Sequence, residues 1–158
     1  MKVLYATIND IEFLEKCAEE CFKNVELDKM NFSYCKQSFK DNVSYWIKSP
    51  SYVTIKCVDH DESIVGFMVS HAGTEIFNNQ KAVMDVFITQ VAPHILHPTK
   101  VRAIKKMNWY MEDICREVGI QTISIDVVPS NDMQKFLIRN KYKQSDIVMY
   151  KELKIWDH

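Results

Sequence analysis

The chain has 158 residues, 47% of them hydrophobic and 26% charged, the size and balance of one globular domain rather than of a disordered or membrane-embedded chain. Lysine and arginine total 20 against 21 acidic residues, a formal net charge of −1, so no overall field gathers nucleic acid or an anionic membrane and any anion site is local. The five cysteines (Cys17, Cys21, Cys35, Cys57, Cys115) are odd in number and lack CxxC spacing, the usage expected of small core residues in a reducing compartment.

The opening stretch MKVLYATIND has no apolar run long enough for a signal peptide, no later stretch approaches a membrane span, and the cytoplasm is the expected location. KVLYAT reads as a short strand, and Thr7 with Asp10 has the spacing of a capping box with a carboxylate at its third position. A helix follows. Ile11, Leu14, Cys17, Ala18, Cys21, Phe22 and Val25 recur at helical spacing, with Glu12, Glu15, Lys16, Glu19 and Glu20 on the expected wet face. A second helix is expected over Tyr34 to Lys48, with Cys35, Phe39, Val43, Trp46 and Ile47 inward and Ser49-Pro50 closing it.

YVTIKCV and SIVGFMVS flank the polar turn DHDE and read as a hairpin, in which His60 is a solvated turn residue. KAVMDVFITQV is a further strand, Val101 to Val118 a long helix capped by Gly119, and TISIDVV a β-branched strand bounded by Pro129. Asn131 to Asn140 suits a short helix before a closing β region, YKQSDIVMYKEL. Neither a repeat nor a linker is visible, so residues 1–158 are expected to form a single domain. Strand runs mixed with a βαβ crossover predict an α/β (α+β) fold, a mixed sheet with helices on both faces. Gly66, Gly73 and Gly119 are the whole glycine complement, which excludes glycine-rich nucleotide loops by count.

This order and several phrases resemble the GNAT superfamily of acyl-CoA-dependent N-acyltransferases over nearly the whole chain. ATINDIEFL is similar to the family's opening strand and first helix, SIVGFMVS to its third strand with an internal glycine, and REVGIQTISIDVVPSN to the end of its long helix and its fifth strand. SNDMQKFLIRNKYK is similar to its C-terminal motif, in which an asparagine starts a short helix and a glycine-aromatic pair ends it. The resemblance implies a mostly antiparallel sheet, with acetyl-CoA as co-substrate in a splay between the fourth and fifth strands. It also implies that backbone N–H groups of Phe87, Ile88 and Thr89 hold the thioester carbonyl, and that Asn131 helps position the pantetheine arm. Asn131 also reads as the N-cap of its short helix.

The pyrophosphate is expected at the next helix start, because unsatisfied N–H groups and the macrodipole attract anions. The family's signature there is arginine or glutamine, two residues, glycine, one residue, then glycine or alanine. HPTKVRAIKK has no glycine, and either Pro93 or Pro98 can stand for the proline before the loop. It is nevertheless basic where the dipole disfavours cations. Lys100, Val101, Arg102 and Ala103 are therefore the candidate phosphate-binding residues, while Lys105 and Lys106 read as a solvated face opposite Ile104, Met107, Met111, Ile114 and Val118.

Acetyl transfer to an amine needs a deprotonated nucleophile, a polarised carbonyl and a proton for the thiolate. Asp85 is the first candidate base, among apolar Val83, Phe87 and Ile88, with an outward-facing sheet aspartate as the equal alternative. His94 is the second catalytic candidate, and His71 can also serve. The resemblance implies a tyrosine acid in the last short helix, where this chain has Leu137; Tyr142 takes the aromatic position and reads as a packing residue. Tyr34, Phe39, Tyr45 and Trp46 either wall an acceptor site or build core. No metal is expected: Cys17/Cys21 is a half-site without a completing pair, and His94/His97 lacks supporting ligands. The reading is an N-acetyltransferase acting by direct attack in a ternary complex. Its partner is a small-molecule or protein amine, not nucleic acid or membrane, and a homodimer stays open. The alternative is a non-catalytic binding or regulatory protein of the same fold that has lost acetyl-CoA binding.

Overall fold

The computed structural model describes residues 1–24, 33–75, 78–125, 135 and 137–142. The chain opens with β1 (Lys2–Tyr5), a 3-10 turn (Ile8–Asp10) and α1 (Ile11–Asn24), followed by α2 (Lys36–Lys48). Then come β2 (Tyr52–Val58), β3 (Ile64–Glu75), β4 (Asn78–Val91), α3 (His97–Val118) and β5 (Thr122–Ile125). The closing β region and Asn131 lie outside the described residues. Among the described residues, no helix is long and apolar enough to cross a membrane.

Sheet order follows chain order, β1-β2-β3-β4-β5. The first three pairings are antiparallel and β4/β5 is parallel, the connection that requires α3 as a crossover. The predicted mixed, mostly antiparallel sheet is observed. Helices cover both faces because strand side chains alternate. Met68 packs with Met84, Val86, Met107 and Met111 beneath α3, whereas its neighbours Phe67 and Val69 pack with Leu14 and Val43 beneath α1 and α2.

The Thr7–Asp10 cap forms as its spacing implies: the Thr7 backbone N–H donates to Asp10 Oδ2 at 2.7 Å and the Thr7 hydroxyl to the same oxygen at 2.9 Å. Glu15 departs from the expected wet face. It is buried, because α2 crosses α1 there and brings Lys36 Nζ to 3.7 Å from its Oε1. Cys35 departs from the expected core usage, being exposed at the N-cap of α2. The long helix begins at His97, four residues before Val101, because Pro98 fits the first helical turn, where its missing N–H costs nothing. Gly119 caps its other end with φ 77°, a conformation that favours glycine.

Candidate functional site

The β3/β4 ladder shifts register at two places, and one of them falls in the middle of β4. Val69 pairs with Ile88 but Ser70 pairs with Val86, so Phe87 is the extra residue of a β-bulge. On the opposite edge, β4/β5 pairing runs from Val83↔Thr122 to Val86↔Ile125. Among the described residues, Phe87 to Val91 therefore has no strand partner on that side. Thr89 Oγ1 and Gln90 Oε1, in the same stretch, are buried without a hydrogen-bond partner among the described residues. Buried polar atoms are rarely left so in a folded chain. Phe87, Ile88 and Thr89 thus share one bulged segment whose outer edge has no strand partner among the described residues.

A polar row crosses the sheet immediately before the bulge. Tyr52 pairs with His71, His71 with Asp85, and Asp85 with Ser124, so four neighbouring strands place these side chains side by side. The Ser124 hydroxyl donates to Asp85 Oδ1 at 2.7 Å, and the rings of Tyr52 and His71 lie 4.8 Å apart. His71 leans over Gly73, where a Cβ would come within 3.1 Å of the imidazole. The absence of a side chain there is what gives the ring its room. Asp85 is half-buried, between the two orientations its sequence context allowed.

Aromatic rings continue the row toward α2. Trp46 meets Phe87 at 5.2 Å and Tyr52 at 6.3 Å, and Tyr45, 60% exposed, meets Tyr52 at 5.7 Å. Phe39 instead packs on Phe67, and the Tyr34 hydroxyl donates to the Glu15 carbonyl. The second helix thus splits its aromatics between core and a rim above His71 and Phe87.

The start of α3 lies at the far end of β4. Leu96 is its N-cap, and the Lys100 N–H already bonds the Leu96 carbonyl at 2.9 Å. Val101, Arg102 and Ala103 fall in the second turn, where N–H groups bond inside the helix, and Ala103 is fully buried. Outward-facing donors belong to the first turn, where Pro98 has no N–H to offer. Lys100 is half-buried against α1, where its charge bears on Cys21 and Cys17, and Arg102 is exposed. His94 is exposed in the turn before the helix. Asp85 and His94 do not share a site, since Val91 alone is six residues past Asp85, about 20 Å of strand at roughly 3.3 Å per residue.

Leu137 is buried, and Tyr142 docks the final turn onto α3, its hydroxyl donating to Glu112 at 3.5 Å. Burial and the Glu112 carboxylate push that phenol up to about 12. His60 lies exposed in its turn near Asp59. Lys105 sits 4.7 Å from the centre of the Trp109 ring, away from the helix start. Tyr52 and Ser124 are the members of the row that sequence reasoning does not single out, because only strand register brings them to His71 and Asp85.

No protein-family model and no curated protein matches the sequence. Solved structures do. A mutant of a Bacillus halodurans protein superposes with a TM-score of 0.82 at 12% identity, over 98% of this chain and 100% of that one. A probable acetyltransferase gives 0.73 at 13% identity over 100% of both chains. A GNAT family acetyltransferase from Staphylococcus aureus gives 0.65 at 12% identity, over 96% of this chain and 98% of that one. The chain shares its fold with these three structures.

Proposed function

We propose, taking that fold as the premise, that the chain is a cytoplasmic N-acetyltransferase that moves an acetyl group from acetyl-CoA to an amine by direct attack in a ternary complex. The observation that carries the reading is the Phe87 bulge, on a strand edge without a partner among the described residues, two residues beyond Asp85 of the Tyr52–His71–Asp85–Ser124 row. Acetyl-CoA would supply the activated acyl group as a thioester. Backbone N–H groups between Phe87 and Thr89 would stabilise charge developing on its carbonyl oxygen without needing any particular side chain.

The amine approaches from the α2 side, where Trp46, Tyr52 and Phe87 present ring surface and edges. Alkyl amines arrive protonated at neutral pH, and aromatic rings together with the Asp85 carboxylate favour such a cation. His71, beside Asp85 in register, first removes one proton from the ammonium so that nitrogen has a lone pair with which to attack, and the second N–H proton leaves to water as the amide forms. The leaving thiolate is protonated from water. At the other end of β4, the first turn of α3 holds the pyrophosphate with its outward N–H groups and with Lys100 and Arg102.

A second reading, a binding or regulatory protein of the same fold, is favoured by two observations. Leu137 is buried where the resembled family carries an acid, and the start of α3 carries none of the signature's glycines. Calorimetric titration with acetyl-CoA separates the readings: binding at micromolar concentration is expected, and no heat at millimolar ligand would sink the enzyme. Given binding, His71→Ala and Asp85→Asn should each lower kcat by on the order of a hundredfold or more while leaving acetyl-CoA affinity intact. Unchanged turnover in both variants would remove the row from the mechanism.

A further inference from the structure

Cys17 and Cys21 stand one turn apart on α1, and neither is used by the proposed reaction. Cys17 is 2% exposed and Cys21 half-buried. The Cys21 thiol donates to the Val91 carbonyl at 3.8 Å, where β4 gives way to the turn before α3. Cys17 also lines a cavity of about 110 Å³ together with Phe13, Lys16, Glu20, Ala92 and His94. The hydrogen bond from Cys17 draws the Cys21 thiol down against the opposing effect of burial, and Lys100 adds to the lowering. Cys17 moves the other way, raised by the same bond and by burial. Two thiols thus stand one helical turn apart, with open space beside Cys17.

We propose that Cys17 and Cys21 form a dithiol binding site for a soft electrophile that bridges two sulfurs through one atom, trivalent arsenic being the chemical type. Geometry favours a bridge over a direct disulfide. Residues one helical turn apart hold their Cβ atoms roughly 5–6 Å apart, whereas a disulfide needs about 3.5–4.5 Å. An inserted atom adds the missing length without tightening α1. Thiolates select soft partners. Among the described residues, no third His, Cys, Asp or Glu completes a metal cluster, which suits a group that brings its own third substituent rather than zinc. For an organoarsenic oxide, each sulfur forms one As–S bond, and the two thiol protons leave with the oxo oxygen as one water. Arsenic stays trivalent, so neither oxidant nor reductant is required. The cavity beside Cys17 takes the organic substituent.

The test uses the full chain carrying Cys35→Ser, which removes the exposed thiol at the start of α2, and phenylarsine oxide as the probe. Intact-mass measurement should find one phenylarsenic adduct per folded chain, with two fewer titratable thiols. The adduct should resist a monothiol and be removed by dimercaptopropanol. Peptide mapping of the adduct should place it on the 17–21 segment, a readout that needs no further variant. Cys17→Ser and Cys21→Ser, each checked for folding by circular dichroism, should abolish the monothiol-resistant adduct. Lys100→Met should slow capture severalfold by raising the Cys21 thiol. Absence of an adduct on the folded chain, or its survival in both single variants, would overturn the proposal.

Discussion

Asp10 shows how one side chain ties the first turn to the sheet. Its carboxylate accepts two hydrogen bonds from Thr7 and pairs with Lys56 of β2 at 2.6 Å, with both side chains mostly buried. Burial alone would raise its pKa, but Lys56 and Thr7 outweigh that and hold it below the ordinary aspartate value. A depressed folded-state pKa means the carboxylate stabilises the fold above the unfolded value of about 4, and that this stability is lost as pH falls through the folded value. Asp10→Asn should therefore cost about 2–4 kcal/mol at pH 7, from the weakened cap and the uncompensated Lys56. The gap to the parent chain should close below pH 4, because protonating Asp10 leaves Lys56 in the same position. Urea unfolding of both proteins at pH 7, 4 and 2.5 measures this. A gap that stayed constant across that range would mean the ion pair adds nothing.

At the scale of elements, the approach of β3 to β4 depends on Gly66. A Cβ there would lie 2.6 Å from the Gln90 carbonyl oxygen and 3.1 Å from the Val91 side chain. Backbone cannot yield as a flexible side chain does, so Gly66→Ala should push β4 outward and cost roughly 1–3 kcal/mol. Because Gln90 and Val91 belong to the proposed cofactor edge, acetyl-CoA affinity should fall with stability, whereas Gly73→Ala should act on His71 and so on turnover. Thermal unfolding and calorimetry on the two variants separate these effects. These contacts also mark what was legible beforehand. The helices were readable because Leu14, Cys17 and Ala18, or Met107, Met111 and Ile114, repeat at a local period that the core then buries. Phe87 as the bulged residue was not, nor was the register that joins Tyr52, His71, Asp85 and Ser124, since a one-residue slip between distant strands would turn each side chain to the other face. Glu15 misled for a related reason: its burial is decided by where α2 crosses, which the periodicity of α1 does not contain. Asp85 was singled out from its own neighbours, but its hydroxyl partner came from a strand 39 positions away.

Over the whole molecule, a net charge of −1 leaves no general attraction for an anionic ligand, so affinity for a phosphate group must come from where particular cations sit. Four basic side chains crowd the first half of α3, and the structure divides them. Lys100 is half-buried near the helix start and Arg102 exposed one turn in, while Lys105 lies over Trp109. Lys106 lines a separate surface cavity of about 210 Å³ with Val3, Tyr110 and Asp113. If position governs affinity, Lys100→Ala and Arg102→Ala should each raise the acetyl-CoA Kd by on the order of fivefold, about 1 kcal/mol, at low ionic strength. Lys105→Ala and Lys106→Ala remove the same charge and should leave Kd unchanged. Salt separates the first two further. Screening shortens from about 10 Å at 0.1 M to about 3 Å at 1 M and acts most on exposed charge. The Arg102 effect should therefore fade across that range while the Lys100 effect persists. Equal losses in all four variants, fading together with salt, would mean that the ligand senses only total charge and that the start of α3 is not its anion site.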